Sequence, residues 1–131
     1  MAVENLPIIL VVEDDKLLQS VVEESLSDAG FQIIIVSSGE NAVELLDASD
    51  GRYWALITDI KLGRDSMDGW EVARHAREID PTFPVIYMSG DSAGDWASKG
   101  VPDSIMLGKP FAPAQLVTAV SLLLNQGIAK A

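Results

Sequence analysis

The chain has 131 residues, 20 acidic and 9 basic, with a formal net charge of −11 and a pI near 4.2. That length fits one domain with a core of its own, and 48% apolar composition argues against wholesale disorder. Zero cysteines exclude disulfides, iron–sulfur clusters and thiol catalysis, a single histidine excludes a multi-histidine metal centre, and the acidic balance argues against direct grip on nucleic acid.

The segment Met1–Pro7 has neither a basic start nor a long apolar run, so no targeting signal is expected. No apolar run approaches membrane-spanning length. With the missing cysteines, this gives a cytoplasmic protein without membrane contact as the expectation.

Ile8–Val12 is a continuous β-rich run, as in a strand covered on both faces. Asp14 or Asp15 can cap the helix that follows, whose stripe is Leu17, Leu18, Val21, Val22, Leu26 and Ala29, with Gly30 as its stop. Gln32–Val36 is a second strand. Ser38-Gly39-Glu40 opens a second helix carrying Ala42, Val43, Leu45 and Leu46, and Asp50-Gly51 marks a turn. Tyr53–Thr58 is a third strand ending at Asp59, followed by a polar loop over Lys61–Asp68. Trp70, Val72, Ala73, Ala76 and Ile79 form a third helical stripe, ended by Asp80-Pro81. Pro84–Met88 is a fourth strand. The stretch Ser89–Lys99 supports only a short helix around Trp96. Ser104–Leu107 is a fifth strand. A last helix follows Pro110 and Pro113, carries Leu116, Val117, Val120, Leu123 and Leu124, and frays from Gly127.

Five strands alternating with five helices imply an α/β fold with a parallel sheet wound on both faces. In such sheets a ligand site lies beyond the carboxyl ends of the strands. Glu13-Asp14-Asp15 stands at the end of the first strand, Asp59 at the third, Ser89-Gly90 at the fourth and Lys109-Pro110 at the fifth.

Carboxylates gathered there repel: two unit charges ~4 Å apart cost about 4 kcal/mol at an effective dielectric near 20. A proton or a cation must relieve that. Mg²⁺ suits the residues, because it takes oxygen ligands and binds through one or two carboxylates plus a phosphate. A lysine adds a point charge for phosphate oxygens, and an aspartate among these groups can become an aspartyl-phosphate. In the strand order 2-1-3-4-5, the first and third strands are neighbours. The fifth lies roughly 10 Å from the third at ~4.8 Å per step, a span that suits a long lysine side chain.

Here the sequence resembles a family, the response-regulator receiver domain of two-component signalling. The resemblance runs from about Ile8 to Leu124 and rests on Ile9-Leu-Val-Val-Glu-Asp-Asp15, Leu56-Ile-Thr-Asp-Ile60, Met67-Asp-Gly69, Pro84-Val-Ile-Tyr-Met-Ser-Gly90 and Lys109-Pro-Phe111 in order. It implies a single receiver domain over 1–131 with the flavodoxin-like order 2-1-3-4-5. It implies that Asp59 accepts a phosphoryl group from a histidine kinase or a histidine phosphotransfer protein. Asp14 would ligate Mg²⁺ with Glu13 assisting, Asp59 and the Lys61 main-chain carbonyl completing the metal site. Lys109 would hold a phosphoryl oxygen beside a cis peptide to Pro110, and Ser89 would follow the phosphoryl group as the switch hydroxyl. The output would be contact with a downstream protein, or passage of the phosphoryl group onward, through the face of the fourth helix, fifth strand and fifth helix. The chain closes soon after the fifth helix, so no output domain is expected.

Four features depart from the family pattern. The loop Lys61-Leu-Gly-Arg-Asp-Ser66 lacks the usual proline and is longer, the aromatic switch position is Met106, the fourth helix is weak, and Lys61 puts a cation beside the site. Two other readings stand beside the receiver. One is a pseudo-receiver that binds a partner without phosphorylation. The other is a Mg²⁺-dependent phosphohydrolase, which would need a second carboxylic acid where Lys61 stands. A phosphoacceptor that is not a turnover enzyme is the expectation. His75 reads as a solvated helix residue, and Trp70 and Trp96 as packing residues, Trp96 also suiting a partner surface if exposed.

Overall fold

A computed structural model of the chain describes residues 8–48, 51–63, 67–91 and 93–130. The elements are β1 (Ile8–Val12), α1 (Lys16–Asp28), β2 (Gln32–Val36), α2 (Gly39–Ala48), β3 (Tyr53–Asp59), α3 (Gly69–Ile79), β4 (Val85–Ser89), α4 (Trp96–Lys99), β5 (Ile105–Gly108) and α5 (Pro113–Lys130). All strand pairs are parallel, in the order β2-β1-β3-β4-β5. Fold class and strand order are thus those expected.

Strand periodicity divides the core. Successive side chains point to opposite faces, so Leu10, Val12, Leu56, Val85 and Tyr87 pack with Leu46, Trp70, Val72 and Ala76 of α2 and α3. Ile9, Val11, Ile57, Ile86 and Met88 pack on the other face with Val22, Leu26, Leu116 and Val120 of α1 and α5. Ile9 to Val12 are all fully buried, each such side chain contributing about 1.5–3 kcal/mol. The continuous apolar run of β1 is therefore a consequence of helices on both sides.

The helix starts are set by side chains. Asp15 caps α1, its Oδ1 accepting the N–H groups of Leu17 at 2.9 Å and Leu18 at 3.3 Å. Asp68 and Glu71 form a reciprocal capping box at the start of α3. Gly30, at φ 95°, turns the chain out of α1 into β2.

Several element ends differ from the sequence reading, β4 and β5 also beginning one residue later, at Val85 and Ile105. The strands β3, β4 and β5 each run one residue further, to Asp59, Ser89 and Gly108, because the ladder pairs Asp59 with Met88 and Ser89 with Gly108. Helix α5 continues through Gly127 to Lys130; one glycine costs a helix only about 1 kcal/mol. The fourth helix is a single turn preceded by a 3-10 turn at Ala93–Asp95, as its composition suggests. Trp96 anchors it, donating Nε1–H to Ser104 Oγ at 2.9 Å while 39% exposed. Trp70 is buried against Tyr87, ring centroids 4.7 Å apart. Among the described residues, no helix is long and apolar enough to cross a membrane.

Candidate functional site

The register brings the strand-end residues together. Val12 pairs with Thr58, which sets Glu13 beside Asp59. Glu13 follows the inward pattern of Ile9 and Val11, and Asp59 that of Ala55 and Ile57, so both carboxylates turn to the α1/α5 side. Lys109 leaves β5 next to Ser89, its N–H donating to the Ser89 carbonyl at 2.7 Å, and the Lys109–Pro110 peptide is cis, as the resemblance implied.

Lys109 spans the sheet end to reach both acids. Its Nζ lies 3.1 Å from Asp59 Oδ2 and 3.2 Å from Glu13 Oε1. Glu13 is fully buried, Asp59 and Ser89 nearly so, and Asp14 is exposed. One carboxylate oxygen from each of Glu13, Asp14 and Asp59 lies within 4.8 Å of the others. The adjacent Asp15 stands outside this cluster, committed to the α1 cap. Of the two cap candidates Asp14 and Asp15, the cap is thus Asp15.

Each group is held by a second contact. Glu13 Oε2 accepts the Asp15 N–H at 3.0 Å, and Gln19 Nε2 donates to the Glu13 carbonyl. Asp59 Oδ1 accepts the N–H of Ile60 at 2.8 Å, and the Asp59 carbonyl accepts the Thr58 hydroxyl at 2.8 Å. Burial is the chief force raising the Glu13 pKa to about 7; the Asp59 charge adds to it, while the Asp15 N–H and Lys109 pull it back. Burial opposes the charge of Lys109 too, but its hydrogen bonds and attraction to Asp59 and Glu13 outweigh that and raise its pKa.

The donor set fits a hard divalent cation. Three carboxylates against one ammonium leave a formal local charge of −2 when all are ionised, which one divalent cation neutralises. All the side-chain donors are oxygen, and the exposed Asp14 leaves one side open to solvent and to an incoming ligand.

Other expected residues fall as follows. Ser89 Oγ accepts the Asp91 N–H at 3.2 Å. Met106 is part-buried opposite Tyr87, packed against the α2/α3-side core as an apolar filler. The Lys61 side chain pairs with Asp91 at 2.7 Å. Residues 64–66 of the long loop lie outside the described residues, as does Asp50 of the expected turn. His75 is tied to Asp47 of α2 at 2.7 Å, more engaged than a solvated residue.

Sequence reasoning missed two contributors. Asp91 carries no motif, and only its place two residues beyond Ser89 points to it. Gly69 lies within the Met67-Asp-Gly69 motif, but its task is steric: a Cβ there would sit 2.1 Å from the Asp59 carbonyl oxygen. The start of α3 thus rests directly on the backbone of Asp59.

Beside the cluster, Asp15, Leu17, Leu18, Val21, Lys109, Pro110 and Phe111 line a groove of about 500 Å³. Leu17 is 81% exposed there. A second groove, of about 360 Å³, runs between Ile105 of β5 and Ala114, Thr118 and Leu122 of α5.

Comparisons with known proteins bear on the family and the fold. The family model of the response regulator receiver domain matches residues 9–121. The response regulator receiver protein CpdR of Brucella abortus is 32% identical over 118 residues, covering 88% of this chain and 95% of that protein. The chain spans about half the length (52%) of the longer transcriptional regulatory proteins of Escherichia coli that it matches. The crystal structure of a response regulator receiver protein from Sinorhizobium medicae is 50% identical, with a TM-score of 0.88 over 92% of this chain and 96% of that one. The receiver domain of the sensor histidine kinase PA1611 from Pseudomonas aeruginosa holds a magnesium ion in its active-site cleft. It is 25% identical, with a TM-score of 0.78 over 92% of this chain and 98% of that one.

Proposed function

We propose, for a chain that belongs to the response regulator receiver family of two-component signalling, that Asp59 is the phosphoacceptor. The observation that carries this reading is Lys109 Nζ, seated 3.1 Å from Asp59 and 3.2 Å from the buried Glu13 at the mouth of a three-carboxylate cluster. Receiver domains accept phosphoryl groups and are not turnover enzymes, and this site offers no carboxylic acid at Lys61 for repeated proton transfer.

Glu13, Asp14, Asp59 and the Lys61 main-chain carbonyl would hold Mg²⁺, which when bound screens the acceptor carboxylate from the incoming phosphoryl oxygens. A carboxylate oxygen of Asp59 forms the O–P bond as the N–P bond of a phosphohistidine breaks; the proton already carried on the donor's other ring nitrogen stays with the ring, so the donor leaves as neutral imidazole. Lys109 holds a phosphoryl oxygen, and the Ser89 hydroxyl donates to another. The donor is a histidine kinase or a histidine phosphotransfer protein in the cytoplasm, and the groove between Leu17, Val21 and Phe111 offers it an apolar seat within reach of Lys109. The output surface is the second groove, on β5 and α5, and its partner is a downstream protein.

The test is intact-mass analysis after incubation with a small acyl-phosphate donor and Mg²⁺. One added phosphoryl group is expected, absent from Asp59→Asn and from a chelated sample. No added mass together with no magnesium binding would refute the reading.

A further inference from the structure

One ion pair joins the loop after β3 to the loop after β4. Lys61 Nζ lies 2.7 Å from Asp91 Oδ2, with the two side chains 71% and 66% exposed. Lys61 stands two residues beyond Asp59 and Asp91 two beyond Ser89. The Asp91 N–H also donates to Ser89 Oγ at 3.2 Å. The pair therefore links the segment that follows the acceptor to the segment that follows the hydroxyl.

The hydrogen bond from Asp91 and then its charge raise the Lys61 pKa, and the Asp59 charge adds to both. Lys61 thus stands two residues from Asp59 in sequence while its ammonium is bonded to Asp91, beside Ser89. Its hold on Asp91 is weak, because solvent screens an exposed pair. A lysine side chain has a flexible four-carbon stem and three donors, so it can change partners without moving its backbone.

We propose that Lys61 is a second cation for a phosphoryl group on Asp59, kept off the site by Asp91 until that group arrives. The inference rests on Asp59 being the acceptor. An ionised Asp59 offers one charge and is already paired with Lys109. A phosphoryl group brings about −1.5 to −2 and three acceptor oxygens, and against that the single carboxylate of Asp91 loses the competition. Lys109 is half sequestered between two acids at 25% exposure and serves the unmodified site as well. Lys61 is exposed and responds only to added negative charge. Asp91 acts through Lys61 and is a positioning residue.

The test is a beryllofluoride titration in the presence of Mg²⁺, with bound fluoride followed by ¹⁹F NMR, on the wild type and on Lys61→Ala, Lys61→Arg, Asp91→Ala and the double Lys61→Ala/Asp91→Ala. The alanine substitution spares the Lys61 main-chain carbonyl. Lys61→Ala should weaken binding about two- to fivefold, the range of an exposed charge pair, and Lys61→Arg should restore most of it. Asp91→Ala should tighten binding by a similar factor, and that gain should vanish in the double variant. Both effects should shrink at high salt. Wild-type binding with Lys61→Ala unchanged, or a gain from Asp91→Ala that persists without Lys61, overturns this inference alone. No wild-type binding overturns the phosphoacceptor reading and this one with it.

Discussion

Gly69→Ala places one methyl group against the backbone of Asp59, the proposed acceptor. The added Cβ would lie 2.1 Å from the Asp59 carbonyl oxygen, 2.9 Å from its carbonyl carbon and 2.9 Å from Ile60 Cα. All three are backbone atoms, so no side-chain rotation relieves the clash. Real Cβ atoms stay beyond 3.0 Å, and the shortfall of about 0.9 Å (3.0 less 2.1) must come from moving α3 or the end of β3. The end of β3 resists, since Ile60 N–H bonds Met88 O at 3.3 Å and Gly69 N–H bonds Ile60 O at 2.8 Å. Overpacking of this kind costs about 1–3 kcal/mol, and alanine's better helix propensity returns at most ~1 kcal/mol. A net loss of about 1–2 kcal/mol in urea unfolding is expected. A shift of the Asp59 backbone near 1 Å is enough to slow phosphoryl uptake by about 10²-fold. Gly90→Ala, where a Cβ would meet nothing within 4 Å, is the control and should keep wild-type stability. A Gly69→Ala protein with wild-type stability and wild-type phosphorylation rate would refute the steric argument.

Glu13→Gln should change how stability depends on pH in chelated protein. The folded pKa of Glu13, about 7, lies above its ordinary 4.5, so its contribution is complete below pH 4.5 and is lost as pH rises through 7. Wild type should lose up to about 3 kcal/mol relative to Glu13→Gln between pH 4.5 and 8, read from urea unfolding at each pH; parallel profiles would contradict the burial argument. Tyr87→Phe keeps the ring against Trp70 but removes the acceptor of the buried Val101 N–H, bonded at 3.0 Å. It should cost about 1–3 kcal/mol, and a neutral thermal melt would show that the bond is replaceable. His75→Ala removes the link at 2.7 Å between α3 and Asp47 of α2. That part-exposed pair should matter by less than about 1 kcal/mol, and a larger loss of urea stability would place His75 among the core residues.

What the sequence displayed depended on how local the cause was. β1 and β2 begin and end where the residues suggest, because apolar runs flanked by Pro7 and Glu13, and by Gly30 and Ser37, record burial and turns directly. The strand-end rule then gathered Glu13, Asp14, Asp59, Ser89 and Lys109 without coordinates. It could not divide Asp14 from Asp15, because adjacent acids look alike until one accepts the N–H groups of Leu17 and Leu18. Nor could it find the Lys61–Asp91 pair, whose members are exposed and lie in separate loops. Gly69 reads as a turn residue in sequence, and its steric role depends on where α3 returns to β3. Met106 shows only that an aromatic is missing; that Tyr87 lies directly across the ladder, with its hydroxyl holding the segment after α4, is a matter of register.

The charge balance gives these details a common logic. A chain of net charge −11 repels an anionic phosphoryl donor at long range. Screening confines that repulsion to roughly 8–10 Å at moderate salt, so it must be overcome at the site itself. The buried cluster does so with cations of different standing. Lys109 is permanent, its pKa raised and its ammonium locked between Asp59 and Glu13. The remaining −2 suits one divalent ion held by the three carboxylates. Association with a partner then falls to contacts that bulk charge does not oppose, and the groove beside Lys109 is lined by Leu17, Leu18, Val21, Pro110 and Phe111. For the phosphoacceptor proposed at Asp59, an acidic body with an apolar seat next to the carboxylate cluster would favour a docked protein donor over a small anion arriving by diffusion, because docking would hold the phosphoryl group at Asp59 while local cations offset its charge.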